Sequence, residues 1–388
     1  MGERVRKIPA NVRAVSVVSL VNDLASELAY PVVPLFLTAT LGAPVAVLGV
    51  IEGLAEGVAV ALGAASGWLS DRTGGRRVPW ITAGYALSAS ARAAVAAATH
   101  WGFVLAGRLA DRTGKAVRTA PRDALIRDSS QPQLVGASFG FHRALDTAGA
   151  TAGPLLAVAL LSAGASLREV LALSVVPGLL AVLLVRRVRE APPRAAGDLA
   201  EPRLRPGFWL VVAAAAAFSL GNSSNAFLLL RAADLGLSAS LVILAYALSN
   251  AVYALCAWPL GSLSDRVPRG AVLAGGLTVY ALVYVGFALA SGPWAVWPLF
   301  ALYGLYVAAT DGVLKAWVAD HVDGPLAGTA YGIYAGAVGG ALLAASVLGG
   351  ALWSTVGPEA TFWAGAALAA LALPLVALAS ASGRARAR

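Results

Sequence analysis

The chain has 388 residues, of which 59% are hydrophobic and only 13% charged, with a mean hydropathy of +0.74. Soluble domains carry about a quarter of their residues as charges, so this composition excludes an ordinary soluble protein and indicates an integral membrane one. The formal charge of +9 at pH 7 does not indicate a nucleic-acid partner, because the Lys and Arg residues collect on one alternate set of loops, as membrane topology requires.

Twelve apolar segments can be counted, approximately 11–38, 43–69, 78–99, 102–125, 136–163, 168–187, 207–231, 239–263, 270–291, 294–318, 327–352 and 359–382. Each is near the roughly 20 residues that a helix needs to span a bilayer. They are rich in Ala and Leu and lack the period-2 alternation of a barrel, so the expected fold class is an all-α membrane protein with twelve transmembrane helices. Arg4, Arg6, Lys7 and Arg13 precede the first span, Arg72, Arg76 and Arg77 follow the second, Arg186, Arg187, Arg189, Arg194, Arg203 and Arg205 fill the central link, and Arg384, Arg386 and Arg388 close the chain. The positive-inside rule then places both termini in the cytoplasm. Trp80, Trp101, Trp209, Trp294 and Trp363 fall near span ends, where an aromatic belt would put them.

The first span is too long and too polar for a cleavable signal, since Asn22, Asp23, Ser26, Glu27, Tyr30 and Pro34 run along or beside one face. In the second span Glu52 and Glu56 are one turn apart. Buried acids in such positions suit proton exchange near neutral pH, and Asp23, Glu27, Glu52 and Glu56 are candidates for it. The competing reading is that they neutralise cations elsewhere in the bilayer. Those cations lie in the fourth span, GRLADRTGKAVRTAPRDALIRD from Gly107. On a helix, Arg108, Asp111, Arg112, Lys115, Arg118, Arg122 and Asp123 fall within an arc of about 140°. Leu109, Ala110, Gly114, Val117 and Pro121 take the other side. Charges sorted this way predict a cavity wall with packed neighbours behind it, paired with acids of the first and second spans. In the fifth span His142 is either a proton relay or a structural donor, Arg143 and Asp146 are near it, and Gly149, Gly153 and Pro154 permit close helix approach.

The two halves repeat. GWLSDRTGGRR at Gly67 echoes GSLSDRVPRG at Gly261 with an offset of 194 residues, half the chain length, and GASFG at Gly136 echoes GTAYG at Gly328 with an offset of 192. Residues 1–187 and 207–388 are therefore expected to form two six-helix halves, joined by a Pro-, Ala- and charge-rich linker at 188–206. The second half is quieter, with Asn222, Asn225, Asn250, Tyr331 and Tyr334 as candidate cavity residues and Asp311 and Lys315 spaced to pair at i, i+4.

GWLSDRTGGRR resembles the loop between the second and third helices of the major facilitator superfamily, the fourth span resembles that superfamily's fourth helix with its early Arg, and GATAGP resembles the fifth-helix antiporter motif. The trailing glycines of that motif are replaced by Leu155, Leu156 and Ala157, and the fourth span is more charged than is common there. The resemblance implies two pseudo-symmetric six-helix bundles with substrate bound near mid-membrane, and its motif pattern points to the drug/metabolite:proton antiporter branch. Gly67, Asp71, Arg72, Arg76, Gly261, Asp265 and Arg266 are then expected to gate, with the competing reading that the loop arginines only set topology.

The expected function is secondary transport of a small organic solute across the cytoplasmic (inner) membrane, coupled to protons, with export favoured over proton-linked uptake of an organic anion. A membrane sensor that kept the fold without transport is the reading from another class. An enzyme is not expected, since no nucleophile and base stand together. No Walker loop is present, three His and one Cys give no metal-ligand cluster, and no cofactor is expected. The expected partners are the substrate, protons and lipid, with the protein a monomer.

Overall fold

The computed structural model describes residues 8–43, 45–191, 204–237, 239–322 and 324–384. The linker calls at Arg194 and Arg203 and the terminal ones at Arg4, Arg6, Lys7, Arg386 and Arg388 lie outside them, as does the Arg384 side chain. The helices are α1 (Ala10–Ala29), α2 (Val45–Arg72), α3 (Val78–Ala96), α4 (Trp101–Ser129), α5 (Val135–Ser162), α6 (Leu167–Leu184), α7 (Pro206–Ser219), α8 (Asn225–Asp234), α9 (Ala239–Ser264), α10 (Arg269–Leu289), α11 (Val296–Ala319), α12 (Ala327–Thr355) and α13 (Pro358–Arg384). The first span continues past α1 through Val32–Leu35 and a π turn at Phe36–Thr40. Among the described residues the β structure is one isolated bridge between Leu204 and Val322.

Among the described residues the seventh of the twelve expected spans is broken between α7 and α8. The break falls on Gly221, Asn222, Ser223 and Ser224, residue types that favour turns over helix interiors. Backbone groups freed inside a bilayer need other partners. Tyrosines of α10 and α11 hold the break: Tyr280 Oη donates to the Gly221 carbonyl at 2.7 Å, and the Tyr284 hydroxyl lies 3.3 Å from Ser223 Oγ. Asn222 Nδ2 donates to Tyr306 Oη at 3.0 Å, and Tyr303 Oη donates to Asn225 Oδ1 at 2.6 Å.

The side chains sort inside out relative to a soluble protein. Arg77, Arg92, Arg108, Asp111, Arg118, Arg122, Asp123 and Arg127 are buried, while Trp294, Leu255, Leu371, Leu289 and Val347 are largely exposed. Large apolar side chains outside and charges inside are what lipid as a solvent selects. Helices α5, α6 and α10 to α13 are long and apolar enough to cross a membrane, whereas α4 is long enough but carries many charges.

The chain divides into two compact units. One comprises Met1–Ser130, Leu145–Pro202 and Gly324–Ala335, and the other Gln131–Ala144, Arg203–Asp323 and Gly336–Arg388. They follow the sequence halves except that each takes the first turns of one helix, α5 or α12, from the other half. In the first unit, Val32, Phe36, Val95, Val104 and Leu171 join an apolar cluster. In the second, Phe218, Tyr280, Tyr284, Phe287, Phe300 and Phe362 form a chain of ring contacts, with centroids 4.1 Å apart for Tyr280 and Tyr284.

Gly149 and Gly153 bring α5 onto α1 without intervening side chains. A methyl at Gly149 would collide with the Leu20 carbonyl, and one at Gly153 would lie 2.7 Å from the Leu28 nitrogen. Gly275 in α10 has open space around it. Gly149→Ala is therefore expected to destabilise by about 1 to 3 kcal/mol, the range for overpacking. Gly275→Ala is expected to stabilise by up to about 1 kcal/mol through helix propensity. Thermal melts of the purified protein in detergent check the opposite signs, and equal shifts would remove the close approach as their cause.

Candidate functional site

Among the described residues, several charges of α4 meet groups of α1 and α3. Gly107 and Gly114 let α4 lie against α3, since a methyl at Gly114 would sit 2.6 Å from the Gly84 carbonyl oxygen. Arg118 lies at the edge of the expected arc and turns to α3, where its Nη1 donates to Ser88 Oγ at 2.7 Å and its guanidinium rests 4.7 Å over the Tyr85 ring. Arg122 Nη1 donates to Ser19 Oγ of α1 at 3.1 Å, and its Nε is 3.4 Å from Asp123 Oδ1. The Arg108 guanidinium is 5.5 Å from the Tyr30 ring centroid. Asp111 stands between two guanidiniums, 3.7 Å from Arg92 Nη1 and 3.9 Å from Arg108 Nη1. Arg92 of α3 was not foreseen from the sequence, and its Nη2 also donates to Asn22 Oδ1 at 3.1 Å. Among the described residues, partners of these charges include hydroxyls, carbonyls and rings of the first and third spans as well as acids. Arg112 is half-buried and Lys115 exposed.

On α1, the Asp23 carboxyl is hydrogen-bonded to that of Asp146 on α5, with Arg118 and Lys115 in electrostatic range. Glu27 lies in the field of Lys115, Arg112, Arg108 and Asp111. The side chains of Glu52 and Glu56 lie outside the described residues. Tyr331 and Tyr334 are buried in the first unit.

Among the second unit's ion pairs, one joins α5 to α11. Asp311 of α11 meets Arg143 Nε at 3.1 Å and accepts from Tyr253 Oη at 2.6 Å. Lys315, expected to pair with it along the same helix, is buried. His142 is fully buried and Asn250 half-buried.

Each of the two matching aspartates binds a helix start within its own unit. Asp71 accepts from the Gly328 backbone N–H at 3.1 Å, from the Thr329 N–H and from Thr329 Oγ1 at 2.6 Å, capping α12. Asp265 accepts from the Gly136 and Ala137 N–H groups, both at 2.8 Å, capping α5. Anionic groups are favoured there because the first-turn N–H groups have no partner within their helix. Burial pushes the Asp265 carboxyl above its usual range, against the pull of the Ala137 N–H, Arg269 and the Gly136 N–H. The glycines that carry the repeat allow the approach: Gly67 lies against Gly328, and Gly261 against Gly136, with no room for a methyl.

The arginines that complete these caps are Arg77 and Arg269. Arg77, fully buried, pairs with Asp71 and donates to Ser70 Oγ at 2.7 Å. Arg269 meets Asp265 at 3.1 Å, Asp320 at 2.7 Å and Ser264 Oγ at 3.0 Å. Arg76 and Arg266 are exposed, and Arg72 is exposed with its guanidinium 4.1 Å over Trp68. The two loops differ in length because Gly74 and Gly75, at φ +76° and +71°, form a left-handed turn in the first that the second lacks. Glu190, after α6, accepts from the N–H groups of Arg77 and Val78 at 2.8 and 3.0 Å and so caps α3. Glu190 carried no readable motif, whereas Arg269 could have been found by asking which basic residue closes each echo.

Asp71→Asn removes the charge facing Arg77 and the α12 terminus, and is expected to cost about 1 to 3 kcal/mol. Asp265→Asn should cost less, since its carboxylate holds fewer helix-start donors, and Arg72→Gln should leave the melting temperature near that of the parent. Thermal melts of the three variants check the ranking, and an unchanged melt for Asp71→Asn would return the loop to a topology signal.

The family model of the Major Facilitator Superfamily matches residues 15–230 and 209–386. An uncharacterized MFS-type transporter of Methanocaldococcus jannaschii is 33% identical over 379 residues, covering 95% of this chain and 94% of the relative. An uncharacterized protein of Mycobacterium tuberculosis is 32% identical over 331 residues, covering 81% of this chain and 79% of its own. Among solved structures, the human organic anion transporter superposes with a TM-score of 0.76 at 17% identity, covering 96% of this chain and 99% of that one. The Escherichia coli fucose:proton symporter gives 0.76 at 13% identity, covering 95% and 98%. A bacterial homologue of the iron transporter ferroportin gives 0.76 at 16%, covering 96% and 99%. These structural likenesses establish the fold alone, and the family model with the archaeal relative establishes more: the chain belongs to the Major Facilitator Superfamily, whose fold is that of a multi-pass membrane transporter.

Proposed function

We propose that this protein is a proton-coupled secondary transporter that exports a small organic solute across the cytoplasmic membrane by alternating access. The observation that carries the coupling is the contact between the Asp23 and Asp146 carboxyls in the membrane interior. Two carboxyl groups hydrogen-bond to each other only by sharing a proton, so the pair is a one-proton store. Arg118 and Lys115 in electrostatic range of Asp23 make its occupancy sensitive to any rearrangement of α4. Release of the shared proton leaves two like charges together, which favours a state in which α1 and α5 separate or a cation intervenes. A difference of a few kcal/mol between two states is enough to drive such a switch. The Asp71 and Asp265 caps belong to the same cycle as contacts made in one state and broken in the other.

Uptake of an organic anion is the second reading, favoured by the cations of α4 and in keeping with a structural neighbour that transports organic anions. Direction separates the two.

The test is an untargeted comparison of solute content in cells with and without the protein, repeated with a protonophore. Export predicts a solute depleted from protein-bearing cells, with depletion abolished by the protonophore and by Asp23→Asn or Asp146→Asn. A solute enriched in those cells selects the uptake reading. A solute difference that survives the protonophore and both substitutions would overturn proton coupling at this pair.

A further inference from the structure

We propose that the end of α6 in the first unit is a docking site for an anionic phospholipid, with the phosphate at Arg186 and Arg187 and the acyl chains along the apolar face of the helix. Val176, Leu179, Leu180 and Leu183 are between 46% and 63% exposed. Their spacing of three and four residues makes them one stripe, while Val170, Leu171, Ser174, Gly178 and Ala181 take the buried side. The helix packs against α1 and α3, which leave the stripe uncovered. It ends in one turn of 3₁₀ helix, Val185–Arg187, and there Arg186 and Arg187, both exposed, continue the stripe. Apolar side chains that meet acyl chains, followed on the same side by two guanidiniums, match a phospholipid from tail to phosphate.

The arginines stand on a fixed segment. The Arg189 N–H donates to Asn11 Oδ1 and its carbonyl accepts from Asn11 Nδ2, both at 2.9 Å, which ties the segment to α1. Glu190 ties it to the start of α3 through the Arg77 and Val78 N–H groups. Trp80, in the first turn of α3, donates its indole N–H to Thr73 Oγ1. An indole at a span end marks headgroup depth, so the segment bonded to this helix start lies where lipid phosphates lie. Glu190, the acid of the segment, is spent on the α3 N–H groups. Among the described residues Arg76, Arg186, Arg187 and Arg189, all exposed, enter no ion pair. Neighbouring guanidiniums with no acid between them offer paired N–H donors to a phosphate diester. A zwitterionic headgroup also brings an ammonium, which this cluster repels, so the site selects a headgroup of net negative charge. Because Arg77 also pairs with Asp71, an occupied site braces the α3 start that completes the α12 cap. The proposal rests on the membrane placement alone and not on the direction or coupling of transport.

The test uses the full chain, purified in detergent, incubated with equal amounts of phosphatidylglycerol and phosphatidylcholine and re-isolated, with the retained lipids counted by mass spectrometry. The parent is expected to retain phosphatidylglycerol in preference, and exchange of sodium chloride for sodium phosphate at constant ionic strength should leave that preference unchanged. Arg186→Gln and Arg187→Gln should each reduce it about fivefold, and the double variant by more than roughly tenfold, whereas Arg266→Gln, exposed in the other unit, should keep it. Equal retention of the two lipids by the parent, or a double variant with the parent's preference, would overturn the site. Loss of the preference in sodium phosphate would assign the arginines to a free anion and overturn the lipid as occupant. Should the double variant fail to fold, the two single variants decide, and an undiminished preference in both would equally overturn the site.

Discussion

A charge enclosed by helices whose outer faces meet lipid is costly to keep unless another group answers it. That penalty orders the interior of this protein. The hydroxyls of Ser19 and Ser88, the rings of Tyr30 and Tyr85, and the carboxylates of Asp111 and Asp123 are arranged around the arginines of α4. The glycines of α3 and α4 serve the same end, because side-chain donors as short as serine reach an arginine only when the two helix backbones nearly touch.

The two sequence halves solve one problem twice with similar parts. A Ser-Asp pair ends α2 and another follows α9, an arginine at the start of the next helix folds back on each, and a glycine lets each aspartate reach the first turn of a helix from the opposite half. Elsewhere the halves diverge. The first unit fills its interior with charge, while the second fills its own with tyrosine and phenylalanine and uses the tyrosine hydroxyls to hold a broken helix. The divergence follows the sequence, since α4 is strongly charged and its counterpart α11 carries only Asp311 and Lys315 within its span.

Much of this was legible in the sequence. Apolar segments give helices because lipid leaves the backbone no alternative, and the echo of Gly67 and Gly261 marked the places where two helices cross. The side of α4 on which each charge finds its partner was harder to read. Periodicity places Arg118 within the charged arc, but whether that edge meets α1, α2 or α3 depends on Gly84 and Gly114, whose partner helix nothing in the local pattern identifies. Arg92 escaped notice because a lone arginine in an Ala- and Ser-rich span has no spacing signal. The break at Gly221 was missed because an apolar average over the seventh span hides four turn-forming residues. Asp71 was readable and its arginine was not, since three arginines follow it and only burial distinguishes Arg77 from Arg72 and Arg76.

The caps on α5 and α12 also bear on the order in which this chain can mature. Gly136 and Ala137 are bonded to a side chain 129 and 128 residues further along, and Gly328 is bonded to one 257 residues earlier. During synthesis the first turn of α5 therefore leaves the ribosome with its N–H groups uncapped and stays so until α9 is finished. Asp71 waits longer, with Arg77 as its companion until the eleventh span arrives. The first half cannot complete its own helix ends before the second is made, and a chain truncated at its linker lacks the groups that finish them.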